Sequence, residues 1–283
     1  PLMDANTFRV LDYIYENPNT WMELSITTNM SPPRNSLMDK FIDKMKKLEE
    51  IQIWEDKERF NPGSGNHWYV NPALKNFALF VSVDSVSEQA EYIRDGLDYS
   101  YMQQNVLRFL EETNNTTVTF INTFNILSIT KIKEFLEYIL SLRREYSKTK
   151  QGVKYIPIHD PYNTHPDYEI HPRQRIWFDL PILRDPKWMS ITLLPTEFQS
   201  YLEEALQFME ENSNTDNFDG FYDFEIEKLR RNLNLMKTGN IDIFAKKNFY
   251  KFFKQYDQKR NKNLLEVFPE LEDFYKSCGE INV

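Results

Sequence analysis

The sequence predicts an α/β fold of parallel strands, followed by a helical extension. Three observations carry this. Helical and strand-like patterns alternate strictly as far as Leu180. The four strand-like runs are short and rich in β-branched and aromatic residues. After Pro195 only helical patterns remain. Strict alternation implies strands joined by crossover helices, and therefore parallel pairing.

Residues Asp4 to Tyr15 set Phe8, Leu11, Ile14 and Tyr15 at helical spacing, and Asn17, Pro18 and Asn19 stop that helix. Trp21 to Thr28 (WMELSITT) reads as a strand. Ser36 with Asp39 resembles a capping box for a helix ending near Glu50. Residues 51–76 read as polar and irregular, with NPGSGN as a loop. Phe77 to Val83 is the second strand, and Ser85 with Glu88 fits a capping box for a short helix after it. Tyr99 to Glu112 places Met102, Val106, Leu107 and Leu110 on one helical face. Thr116 to Phe124 (TTVTFINTF) is the third strand. A helix over Ile132 to Tyr146 and a His- and Pro-rich connection over 153–174 lead to the fourth, Arg175 to Leu180 (RIWFDL). Thr196 with Gln199 suggests another capping box, opening a helix to about Asn212. An acidic loop and helices at about 221–236, 241–260 and 263–277 follow. The expected domains are therefore 1–194 and a helical extension over 195–283. Either a barrel or an open doubly wound sheet fits the alternation. Four strands do not close a barrel, and the absence of a Gly-rich loop after any strand argues against a dinucleotide site.

Composition bounds the function. With 283 residues the chain can bury a substantial core, and 21 Phe and 16 Tyr compensate for a hydrophobic share of only 41%. A net charge of −9 argues against a general nucleic-acid binder, and the basic stretch Arg143 to Lys154 reads as a solvated helix end. The single cysteine, Cys278, excludes an internal disulfide and a cysteine-only metal site within this sequence. No stretch is apolar for long enough to cross a bilayer and no signal-peptide pattern is present, so neither a membrane nor a nucleic-acid partner is expected. The expected compartment is the cytoplasm.

Each strand ends in polar residues: Thr27, Thr28 and Asn29; Ser82 and Asp84; Asn122 and Asn125; Asp179. Such residues often cap helices or shape turns. In parallel α/β folds, however, ligands bind at the carboxyl ends of strands, and four strands with the same habit suggest a shared polar pocket.

In order and spacing, LSITTN, FVSVDS with YIRDG after it, VTFINTFNIL and PILRDPKWMSITLLP resemble the radical S-adenosylmethionine enzymes, most closely the branch with a SPASM or twitch accessory domain. The resemblance covers about residues 1–200. It implies a partial TIM-like (β/α) barrel whose first two strands are missing. PLMDANTF would continue the family's G-G-E-P motif, and the chain would begin inside a larger protein. The family's cofactors are S-adenosylmethionine and a 4Fe-4S cluster held by C-x3-C-x2-C, whose ligands would lie upstream of Pro1. The twitch or SPASM cysteines are absent too, so the chain alone is expected to be inactive. The complete enzyme would generate a 5′-deoxyadenosyl radical and abstract hydrogen from a substrate, a peptide or protein by analogy, and would need a reductant for its cluster.

The resemblance also assigns cofactor-binding roles. Ser82 and Asp84 fall on a Ser-x-Asp that faces the ribose and amino-acid part of the cofactor. Arg94 matches an arginine suited to the methionine carboxylate, Asn29 matches a Thr-Asn at the preceding strand's end, and Asn122 sits where the next strand meets the cofactor. Leu180 to Leu183 would approach adenine through backbone. From the residues alone, Arg94 could instead pair with Glu91 or Asp95. The segment HDPYNTHPDYEIH at 159–171 matches no compact metal motif and reads better as a substrate-facing lid. The rival class is a non-catalytic α/β scaffold that binds a partner or small molecule at its strand-end rim. An unpaired edge on the strand at 22–28, flanked by Trp21, Leu24 and Ile26, is expected to lower solubility.

Overall fold

The computed structural model describes residues 2–56, 68–72, 74–113, 116–146, 175–213 and 219–281. Strand β1 (Asn19–Thr28) is followed by a hairpin of β2 (Gln52–Asp56) and β3 (Trp68–Pro72), then by β4 (Leu74–Ser82), β5 (Thr116–Ile121) and β6 (Ile176–Asp179). β1, β4, β5 and β6 form one four-stranded parallel sheet in that order; β2 and β3 pair antiparallel as a separate sheet. The order follows the chain without reversal. A doubly wound sheet reverses direction at a switch point, whereas the wall of a barrel does not. The topology is thus compatible with a partial α/β barrel. The hairpin replaces the irregular segment expected over 51–76: each of its strands is only five residues long, too short for pattern reading to separate from a loop. The histidine-rich segment at 159–171 lies outside the described residues.

The chain forms two compact units. One comprises Pro1–Val81, Tyr101–Thr119 and Glu145–Ile176; the other comprises Ser82–Ser100, Phe120–Arg144 and Trp177–Val283. Residues 194 and 195, where the sequence changes character, both lie in the second.

In the first unit, α1 (Ala5–Glu16) buries Phe8, Leu11 and Ile14, the stripe expected from their spacing, and Asp4 caps it by accepting from the Asn6 N–H at 2.8 Å. Helix α2 (Asn35–Glu50) buries Met38, Phe41, Ile42, Met45 and Leu48. Phe41 stacks on Phe109 of α4 (Tyr99–Glu112) with ring centroids 5.6 Å apart. Buried Arg175, just before β6, donates to the carbonyls of Leu110, Thr113 and Thr116. The carbonyls of Leu110 and Thr113 lie at or just past the end of α4, where intrahelical partners run out, and Thr116 opens β5.

In the second unit, β5 and β6 present Phe120 and Phe178 to Phe135 of α5 (Ile132–Tyr146) in edge-to-face contacts at 6.4 and 6.2 Å. Arg143 at the end of α5 is fully buried, not a solvated helix end. It forks onto Glu225 of α7 (Asp223–Thr238) at 2.9 and 2.6 Å and reaches the Gly220 carbonyl at 2.7 Å. The remaining helices are α3 (Ser87–Ile93), α6 (Gln199–Glu211), α8 (Ile243–Arg260), α9 (Leu264–Val267) and α10 (Glu272–Gly279). Tyr92 of α3 ties α8 down: its hydroxyl donates to Asp257 at 2.6 Å and its ring meets Phe253 and Phe268.

Three expected caps do not form. Helix α2 follows Arg34 and α3 follows Val86, neither with a side-chain cap, and α6 follows a 3-10 turn over Thr196–Phe198. Ser85 instead donates to Gln89, whose Nε2 binds Thr130 and Glu270. Among the described residues, no helix is long and apolar enough to cross a membrane.

Candidate ligand-binding site

Backbone hydrogen bonds bring the strand ends of the second unit to one rim. The Val83 N–H donates to the Ile121 carbonyl at 3.0 Å, and the Asn122 N–H donates to the Asp179 carbonyl at 3.0 Å. Beyond the strands, Phe124 and Ile182 form a parallel bridge. Ser82, Asp84 and Asn122 therefore lie at the same end of the sheet, and Arg94 is tied there through Asp84.

Asp84 is buried and both of its oxygens are engaged. Oδ1 accepts from the Thr123 N–H at 2.9 Å, and Oδ2 meets the Arg94 guanidinium at 2.8 Å. The partner of Arg94 is thus neither Glu91 nor Asp95. Glu91 accepts from the Tyr99 N–H, and Asp95 pairs with Arg260 and Lys262. Burial raises the carboxyl pKa of Asp84 above its ordinary value, with Arg94 and the Thr123 N–H opposing the shift.

Asn122 is fully buried, and among the described residues neither its Oδ1 nor its Nδ2 has a hydrogen-bond partner; the Arg94 Nε is likewise buried without one. A buried carboxamide with no partner is rare in folded proteins, because each orphaned group keeps its desolvation cost. These atoms leave three N–H donors, two on Asn122 Nδ2 and one on Arg94 Nε, and one carbonyl acceptor, Asn122 Oδ1, of unused capacity. In the parallel ladder, Val83 stands level with Asn122. Ser82 thus belongs to the alternate row with half-buried Phe80 and Ala78, while Asn122 follows the buried row of Phe120.

Other polar strand ends do local work. Asn125 accepts from the Leu127 N–H at 2.9 Å and donates to the Thr123 carbonyl at 2.7 Å, shaping the turn. Asp179 pairs with Lys228 of α7. Asn29 belongs to the first unit. Its side chain accepts from the Ser31 N–H at 3.2 Å, in a turn that holds Met30 at a φ of 54°. The backbone of Pro181 and Leu183 is committed to Phe124 at 2.7 and 3.0 Å. Sequence reasoning missed Thr123, whose N–H locks Asp84, and Asn232 of α7, which is buried and donates to the Leu180 carbonyl at 3.5 Å. Thr123 acts through its backbone N–H, which its side-chain type does not mark, and Asn232 lies within a helix, so no local signal singled them out.

Among the described residues, no group of three or more His, Cys, Asp or Glu could hold a metal ion, and Cys278 is buried in α10. The described residues do not fit an iron–sulfur cluster. No protein-family model, no curated protein and no solved structure matches the chain.

Proposed function

We propose that this chain is part of a radical S-adenosylmethionine enzyme and that the rim formed by Ser82, Asp84, Arg94 and Asn122 binds the cofactor. The single observation that carries the proposal is the fully buried Asn122 carboxamide, with both polar atoms unpartnered among the described residues. An adenosyl group offers ring acceptors, an exocyclic donor and ribose hydroxyls, the complement of this set. Asp84 holds the Arg94 fork in place and anchors the turn at Thr123. Asn29, assigned by the resemblance, lies in the first unit, where its carboxamide closes a turn. When bound, S-adenosylmethionine would supply radical chemistry that removes hydrogen from a substrate, by family analogy a peptide or protein. A 4Fe-4S cluster and a reductant would be needed, with the cluster ligands in sequence preceding residue 1. The proposed compartment is the cytoplasm.

A second reading, a scaffold that binds a small molecule without catalysis, draws on the same rim. It is favoured by the ion pair between Asp84 and one guanidinium nitrogen of Arg94, which leaves the guanidinium less free for a ligand carboxylate.

The test is saturation-transfer NMR with S-adenosylmethionine, adenosine and methionine. The expected result is transfer to the adenosine protons, weakened about tenfold or more in Asn122→Ala and reduced in Arg94→Gln, the loss of one buried hydrogen-bonding group. Equal transfer in wild type and both variants, or none in any, overturns cofactor binding at this rim. Expression with the upstream coding sequence, followed by anaerobic reconstitution with iron and sulfide, separates the two readings. Cluster absorbance and tighter cofactor binding support the enzyme, and their absence supports the scaffold.

A further inference from the structure

Helix α8 is anomalous in an acidic chain. Within Ile243–Arg260 it carries Lys246, Lys247, Lys251, Lys254, Lys259 and Arg260 against a single carboxylate, Asp257, while the whole chain has a net charge of −9. Asp257 is turned to the interior, where it accepts from Tyr92 and from the Leu264 N–H.

The helix buries Ala245, Phe249 and Phe253, at i, i+4 and i+8. On the opposite side, Ile243, Lys247, Lys251 and Lys254 follow one another at i, i+4, i+8 and i+11, with Phe244 beside them. Phe244 is 65% exposed, Ile243 54% and Ile241, just before the helix, 60%. Lys251 and Lys254 are exposed and paired with no carboxylate among the described residues. The solvent face of α8 therefore joins a protruding aliphatic and aromatic first turn to a row of cations.

We propose that this face docks the protein on an anionic lipid surface. Interfacial helices combine these elements: apolar side chains that enter the headgroup boundary, and lysines that meet the lipid charge. The charge complementarity is local, because screening confines the interaction to roughly 8 Å and the acidic remainder of the chain does not cancel it. A solvent-facing helix side is convex and suits a plane rather than a peptide in a groove. Its isoleucines have no stacking role on single-stranded nucleic acid, where aromatic rings do that work. This docking is peripheral and needs no spanning helix.

The test is flotation of the whole chain with vesicles of phosphatidylcholine alone and with increasing added phosphatidylserine, which separates binding from aggregation. The expected result is co-flotation that rises with phosphatidylserine, is absent with phosphatidylcholine alone and is released by high salt. Lys251→Gln with Lys254→Gln weakens partition about 25-fold, roughly fivefold per lysine, and Ile243→Ser with Phe244→Ser weakens it about tenfold. Circular dichroism checks that the variants fold; should either fail, the wild-type lipid and salt series decides alone. Flotation that is absent, or independent of phosphatidylserine, overturns the proposal. So does partition unchanged in both folded variants, or a preference for single-stranded nucleic acid or an acidic polypeptide over the vesicles.

Discussion

Asn122 costs the fold something in the absence of a ligand. Its carboxamide is fully buried with both polar atoms unpartnered among the described residues, and each such group costs about 1–3 kcal/mol. Asn122→Leu keeps the volume and removes the orphaned atoms. The expected outcome is a ligand-free protein more stable by about 1–3 kcal/mol in urea unfolding, together with loss of the adenosine contact by NMR. A purely structural asparagine would lose stability instead. Asp84 makes a second prediction at this scale. Burial raises its folded-state pKa above the unfolded value, so the folded protein holds the proton to higher pH than the unfolded chain does. Its contribution to stability is therefore largest below the ordinary aspartate range and declines as pH rises through the window up to the raised folded value. Asp84→Asn removes that component. Subtracting urea midpoints of wild type and variant, pH by pH from the aspartate range upward, isolates it, and a wild-type advantage that grows with pH across that window would contradict the assignment.

The elements are tied by buried cations that the sequence gives no reason to single out. Arg143 joins α5 to α7 through Glu225, with both side chains essentially inaccessible. Glu225 also accepts from the Tyr222 N–H at 3.0 Å, so the same carboxylate closes the start of α7. Arg143→Met leaves that carboxylate buried and unpaired, and the expected loss is about 3–5 kcal/mol in chemical denaturation. Adding Glu225→Met to the same chain should recover most of it, since replacing both members with apolar groups removes the uncompensated charge. At this scale the four strands of the parallel sheet were legible from their β-branched and aromatic runs, and α1 and α4 from their apolar stripes; α2 was expected from a capping box at Ser36 that does not form, and β2 and β3 were read as irregular. The caps were not legible. Ser85 matches a cap in local pattern, yet its hydroxyl goes to Gln89 because a buried network with Thr130 and Glu270 is available there. Arg94 pairs with a residue ten positions back because the chain turns after β4, and local spacing offered only Glu91 and Asp95 as alternatives.

At the scale of the molecule, strict alternation in sequence made the parallel sheet legible but left its order open. The order β1-β4-β5-β6 runs without reversal and is compatible with a partial α/β barrel. The same order places β1 at the end of the sheet, its outer edge paired with no described strand. Trp21 on that strand is 69% exposed, and Glu23, Ser25 and Thr27 are exposed as well. Natural edge strands are usually protected by charge, bulges or a covering element, because an open ladder recruits other strands. Here one carboxylate, Glu23, and a register shift between Asn19 and Glu23 guard the start of the strand, while the stretch from Leu24 to Thr28 pairs regularly with β4 on its inner side. The expected behaviour is concentration-dependent self-association through β1. Trp21→Lys combined with Ser25→Lys adds charge on exposed positions and leaves buried Ile26 and Thr28 in place. Sedimentation velocity across a concentration series should show the wild type shifting to larger species and the variant staying at one. A wild type that remains a single species at all concentrations would mean that this edge is covered, and the partial-barrel reading of the sheet would lose its main structural consequence.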